Sequence, residues 1–146
     1  MATATLTGAN SVIMLSIVGL FPIPQQLQGY AADNVLATEA VKSIETIMGI
    51  DGRLSAGWFP TMKIQTYTLQ GDSPSVVLFE AWQQNQEAVR DAFVAQGVIT
   101  LPGIKRVYNL TNGYLTDYSP MPDIQKIIQP RKFQITWQSI LPAPIG

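Results

Sequence analysis

Residues Arg131 to Ile140 (RKFQITWQSI) alternate strictly, with Phe133, Ile135 and Trp137 on one side and Lys132, Gln134, Thr136 and Gln138 on the other. Successive side chains of a β-strand point to opposite faces, so a period of two predicts a strand with one dry face and one wet face. Such a strand has to pair along its edges and to bury its apolar row under a second layer.

Other segments have the same character. Val12 to Val18 is apolar and β-branched, which predicts a strand buried on both faces that ends at Pro22 and Pro24. Leu27 and Tyr30 point to a second strand, whereas Val35 to Ile47 has no clean period; it reads as strand, although its Ala and Glu residues favour helix. Gly49-Ile50-Asp51-Gly52-Arg53 supplies the positive φ angles of a tight turn, and with Ser55, Gly57 and Pro60 it predicts a hairpin tip or arm over residues 49–60. Thr61 to Gln70 sets Met62 and Ile64 against Lys63 and Gln65, a strand with one wet face.

A single helix interrupts this pattern. Asp72-Ser73-Pro74-Ser75 places a capping serine before a proline, at the one helical position where a missing N–H is harmless, and predicts a helix over about 73–92. Its apolar positions are Val77, Leu78, Ala81, Trp82, Ala88 and Val89. Phe93 to Leu101 turns β-branched again and is broken by Pro102-Gly103. Asn112-Gly113 predicts a hairpin turn between strands at Lys105–Leu110 and Tyr114–Tyr118, and a loop with Pro120 and Pro122 precedes the last strand. The fold class expected is mainly antiparallel β, a sandwich or barrel with one main helix, as a single domain over 1–146.

Composition narrows the chemistry. The chain has no cysteine and no histidine, which removes thiol nucleophiles, the usual zinc sites, imidazole bases and the Ser-His-Asp arrangement together. The glycines from Gly49 to Gly57 lack a phosphate-cradling pattern, and Glu87 with Asp91 reads as a solvated helix face beside Arg90. No catalytic residue, cofactor or metal ligand is expected. Lys105-Arg106 and Arg131-Lys132 read as surface charges, and a net charge of −1 lacks the footprint of a nucleic-acid binder. Ser11 to Ile23 is too short to span a bilayer and no basic residue precedes it, so a buried strand is expected there and no membrane partner. Charged residues are only 13% of the chain, about half the usual share of roughly 25%, so its surface favours association with neighbours.

The order of several segments is similar to one family. Leu69-Gln70-Gly71-Asp72-Ser73-Pro74-Ser75 runs into a helix with Phe79-Glu80-Ala81-Trp82; Met121-Pro122-Asp123 is followed by Pro130 to Trp137; Gln28 to Asp33 and Met48 to Gly52 come earlier. Together they resemble the tail tube proteins of contractile-tailed bacteriophages. The resemblance implies a structural subunit without enzymatic activity, forming hexameric rings that stack around a channel for genome ejection. It also implies sheath, baseplate and tape-measure partners, transient non-specific passage of DNA, and a place in the virion after assembly in the bacterial cytoplasm.

For contacts between subunits the arm is the candidate, with Ile50, Leu54, Trp58 and Phe59 as its apolar residues. Two large aromatics in a Gly/Pro-bounded loop are either folded onto the core or exposed for a partner, and both remain open. A tube initiator or terminator would share the fold and stop after one ring. A monomeric β-rich binding module, with Trp58, Trp82 or Trp137 as stacking platforms, is the alternative from another class, although Trp82 and Trp137 suit core positions.

Overall fold

A computed structural model of the chain describes residues 11–27 and 36–144. The expected strand at Tyr30, the segment Gln28–Asp33 and the start of the Val35–Ile47 stretch lie outside the described residues. Among those described, nine strands and one α-helix follow in the order β1 (Val12–Ile17), β2 (Phe21–Gln26), β3 (Leu36–Thr38), β4 (Ile44–Met48), β5 (Leu54–Trp58), β6 (Lys63–Leu69), α1 (Val76–Val89), β7 (Ala95–Leu101), β8 (Arg106–Tyr118) and β9 (Arg131–Pro144). Seven strands form one antiparallel sheet in the order β2-β1-β7-β8-β9-β6-β3, and β4 with β5 forms a separate hairpin. The antiparallel β class with one helix is what the sequence predicts.

The alternation of β9 holds. Phe133, Ile135 and Trp137 are all fully buried, and the strand runs on to Pro144. Helix α1 covers this face, where Phe79 stacks on Phe133 with centroids 4.4 Å apart and Trp82 donates its indole N–H to the Phe93 carbonyl at 3.2 Å. Burying side chains of this size contributes about 1.5–3 kcal/mol each. β1 alternates between buried and half-buried positions rather than being dry on both faces. Its partner β2 contains Pro22 and Pro24, which were expected to end a strand. β2 is at the sheet edge, the one place in a sheet where a missing N–H breaks no ladder.

Four further expectations are corrected. First, the dry face of β6 has the opposite parity: Gln65, Tyr67 and Leu69 are buried while Met62 is 65% exposed. Gln65 is tolerated inside because its amide donates to Thr38 Oγ1 at 3.0 Å and its carbonyl accepts from the Tyr67 hydroxyl at 2.5 Å. Second, the helix starts later and ends earlier than 73–92, and Val77 and Val89 are exposed. Ser73 accepts the Ser75 N–H at 3.2 Å in a turn that precedes the helix, and Arg90 ends it in the left-handed conformation.

Third, Asn112-Gly113 makes no hairpin turn; β8 runs straight through it. Asn112 has φ 49° and sits opposite a register shift in β7, its side chain accepting from Gln96 at 2.8 Å and donating to Gln138 at 2.6 Å. This is a bulge held in place by two neighbouring strands. Fourth, Arg131 is no surface charge: it is 2% exposed and its guanidinium bonds Glu80 of α1 at 2.5 Å and the Ser119 carbonyl at 2.8 Å.

Tyr67 gives the fold a pH limit. Burial pushes its hydroxyl well above the usual phenol range, so the folded state favours the protonated form. That contribution is intact below the unfolded value of about 10 and is lost as pH rises above it. Thermal melting should therefore fall steeply above about pH 10 and less steeply in Tyr67→Phe, as circular dichroism across this range will show.

Candidate assembly interface

The hairpin β4–β5 stands apart from the core, and every residue of both strands is exposed. Its turn closes through Gly49 N–H to Arg53 O and Gly52 N–H to Gly49 O, both 2.9 Å, with Gly52 at φ 83°. The Asp51 carboxylate accepts the Arg53 N–H at 3.1 Å. The predicted turn is therefore correct, but the arm begins at Ile44, earlier than the expected 49–60.

Cross-strand partners share a face, and the register pairs Ile44 with Trp58, Thr46 with Ala56 and Met48 with Leu54. One face of the hairpin is thus a nearly unbroken apolar ladder. Trp58 is 71% exposed and Leu54 60%, while Ile50 projects from the tip fully exposed. Of the predicted contact residues, Ile50, Leu54 and Trp58 lie together on this arm; Phe59 is half-buried at its base, where its N–H bonds the Ser43 carbonyl at 3.0 Å. The two aromatics thus have different fates, since Trp58 faces solvent and Phe59 turns partly inward. Ile44, Ile47 and Met48 were missed, although the alternation Leu54-Ser55-Ala56-Gly57-Trp58 signals a strand whose partner would bring them in.

An isolated two-stranded hairpin is at best marginal in water, and exposing this many large apolar side chains is costly. The arm's two flanks are joined by Thr61 Oγ1 donating to Lys42 O at 3.2 Å, next to the start of β6, where the Lys63 ammonium donates to Gln138 O of β9 at 3.3 Å within the sheet.

A second apolar projection lies elsewhere. Between β8 and β9 the loop exposes Met121, Ile124, Ile127 and Ile128 to between 56% and 75%, with Ile124 and Ile128 forming an isolated bridge. On the sheet face away from the core, by contrast, Gln96, Asn112 and Gln138 bond one another and Thr116 meets Thr136 at 3.1 Å. Among the described residues no group of three or more His, Cys, Asp or Glu gathers as a metal site would, and no helix is long and apolar enough to cross a membrane. Trp82 and Trp137 are both fully buried and unavailable as stacking platforms.

The fold is similar to that of chains in contractile injection systems. A chain in the structure of the PVC sheath/tube terminator in the extended state matches with a TM-score of 0.63 and 11% identity, over 90% of this chain and 92% of that one. A chain of the PVC sheath-tube complex in the extended state matches at 0.61 and 10%, over 91% and 88%. A chain of the anti-feeding prophage tube-terminating cap matches at 0.56 and 10%, over 99% and 94%. No curated protein matches the sequence. The structural likenesses show a shared fold. The chain belongs to the tail fiber protein gp32 family, whose model matches residues 4–141. The resemblance read from the sequence holds at the level of a phage tail protein, a component of the particle.

Proposed function

We propose that the chain is a ring-forming structural subunit of the tube of a contractile-type tail, and that it stands at the tube's end. The observation that carries self-assembly is the apolar hairpin β4–β5, which has no partner surface within the described chain. The end position draws support from the fold neighbours, because the tube terminator and the tube-terminating cap both match over nine-tenths or more of this chain. The terminal reading is thus better supported than that of the subunit repeated along the tube. In favour of the repeating subunit stands the match to a sheath-tube complex.

In this reading the partners are copies of the chain in a hexameric ring, then tube, sheath, baseplate and tape-measure proteins. Assembly takes place in the bacterial cytoplasm, and the subunit performs no catalytic step. DNA passes without being held, and the sheet face with Gln96, Asn112, Gln138 and Thr136 suits a channel wall. Its amides and hydroxyls are bonded to one another and offer few cations to phosphate, and Lys132 at its margin lines a shallow cleft together with Asp117.

Negative-stain microscopy and sedimentation of the purified chain test this. Closed rings that do not elongate are expected; open tubes would place the chain along the tube, and a stable monomer would overturn the proposal. Trp58→Ala should raise the apparent dissociation constant of the assembly by about 30-fold or more, as for a central aromatic anchor, with melting temperature unchanged. Unaltered assembly in this variant would remove Trp58 from the contact.

A further inference from the structure

The two apolar projections leave the subunit from opposite ends. β5 ends at Trp58 and β6 begins at Lys63, which pairs with Trp137, so the hairpin joins the sheet at that end. The loop packs at the other end: Leu69 pairs with Arg131, and a Cβ placed on Gly71 would lie 2.5 Å from Ile128 Cγ2. Six strand steps separate these ends, about 20 Å at roughly 3.3 Å per residue. The two surfaces are also unlike, one a flat ladder of Ile44, Met48, Leu54 and Trp58, the other a short loop carrying isoleucines.

Identical subunits associate either through one self-complementary patch or head to tail through two different patches. A chain with two dissimilar apolar surfaces at opposite ends has the second arrangement built in. Charge agrees: the hairpin tip carries Asp51 and Arg53, and the loop carries Asp123 and Lys126, one of each sign on each surface. Neither surface repels the other, and each charge has an opposite available across the junction.

Resting on the self-assembly reading above, we infer that the loop from Met121 to Ile128 is the seat for the β4–β5 hairpin of a second copy of this chain. The contact is heterologous, hairpin onto loop, and each subunit gives one and receives one. Where successive junctions close after a fixed rotation the result is a ring.

Two variants test the inference in the full-length chain. Ile124→Asp with Ile127→Asp blocks the loop, and Met48→Asp with Trp58→Asp, two residues of the apolar ladder, blocks the hairpin; all four positions are at least 63% exposed. Each variant alone should remain a folded monomer, its association weakened by roughly a hundredfold or more. Mixed in equal amounts, they should form a 1:1 dimer and nothing larger, because the intact hairpin of the first docks on the intact loop of the second and no other junction survives. Analytical ultracentrifugation reads this directly, with circular dichroism verifying the fold. Assembly of the loop variant at wild-type strength, or a mixture that stays monomeric, overturns the inference while leaving the self-assembly reading intact. A monomeric wild-type chain would remove that reading as well. Should the doubly charged loop variant not fold, Ile127→Ser alone serves in the same measurements: weakened association supports the inference, and assembly at wild-type strength overturns it.

Discussion

Glu80→Ala should lower the stability of the fold by about 1.5–3 kcal/mol, the range for a hydrogen bond to a charged group, because it strips the counter-ion from a buried guanidinium. The two ends of this pair are unequally placed, since the Arg131 side chain is 2% exposed and that of Glu80 is 52% exposed. Loss of the carboxylate leaves a guanidinium inside the protein with one carbonyl, Ser119 O at 2.8 Å, and the ring of Phe133 5.2 Å from its central carbon. Its Nε already has no bond partner. The reverse deletion should be much milder. Arg131→Met removes the buried charge, fills similar space with apolar atoms and returns Glu80 to water, which is often close to neutral. Glu80→Gln keeps a hydrogen bond and should lie between the two. Urea denaturation of the three variants will rank them. Equal effects of Glu80→Ala and Arg131→Met would mean that burial of the charge does not dominate.

The same pair shows where a sequence reading stops. Arg131-Lys132 opens the most legible strand in the chain, yet the two residues point to opposite faces and only the first is buried. Period two implies that split, but nothing local announces the counter-ion, because Glu80 lies 51 positions away on a helix. The faces of β6 were illegible for a related reason. Its outward row includes Ile64 and its inward row Gln65, and only Thr38 and Tyr67, brought together by folding, make a buried glutamine tolerable. Asn112-Gly113 carries the local signature of a turn, but the pairing of β7 and β9 on either side keeps the chain extended and absorbs the left-handed residue as a bulge. The arm was half legible: the Asp51-Gly52 turn is written in two residues, as is Trp58, whereas Ile44 and Met48 acquire meaning only once β4 is paired. The isoleucines of residues 121–128 looked like an ordinary proline-bounded loop, and their exposure is a property of the folded chain alone.

The bulge also sets up the sharpest energetic coupling in the core. Gly113 is opposite Trp137, and a Cβ built on it would lie within 2.8 Å of three atoms of that tryptophan's six-membered ring, too close to be accommodated without a shift; a Cβ on Gly97 would lie 3.2 Å from its Cη2. Trp137 therefore lies on two glycines contributed by neighbouring strands. Trp137→Ala should cost about 3–5 kcal/mol through lost burial and the cavity left behind. Gly113→Ala should cost about 1–3 kcal/mol by overpacking, since its φ is not positive and the backbone itself accepts alanine. The two effects should not add. With the indole gone, the new methyl meets empty space, fills part of the cavity and restricts the unfolded chain, the last being worth about 0.4–1 kcal/mol. The double variant should then be no less stable than Trp137→Ala alone, which makes the coupling energy of the cycle about as large as the whole cost of Gly113→Ala. Denaturant midpoints for the four proteins measure that difference. Strict additivity would mean that the ring and the glycine do not share the space the structure assigns to them, and that the bulge at Asn112 is kept for its hydrogen bonds to Gln96 and Gln138 rather than for the seat it gives Trp137.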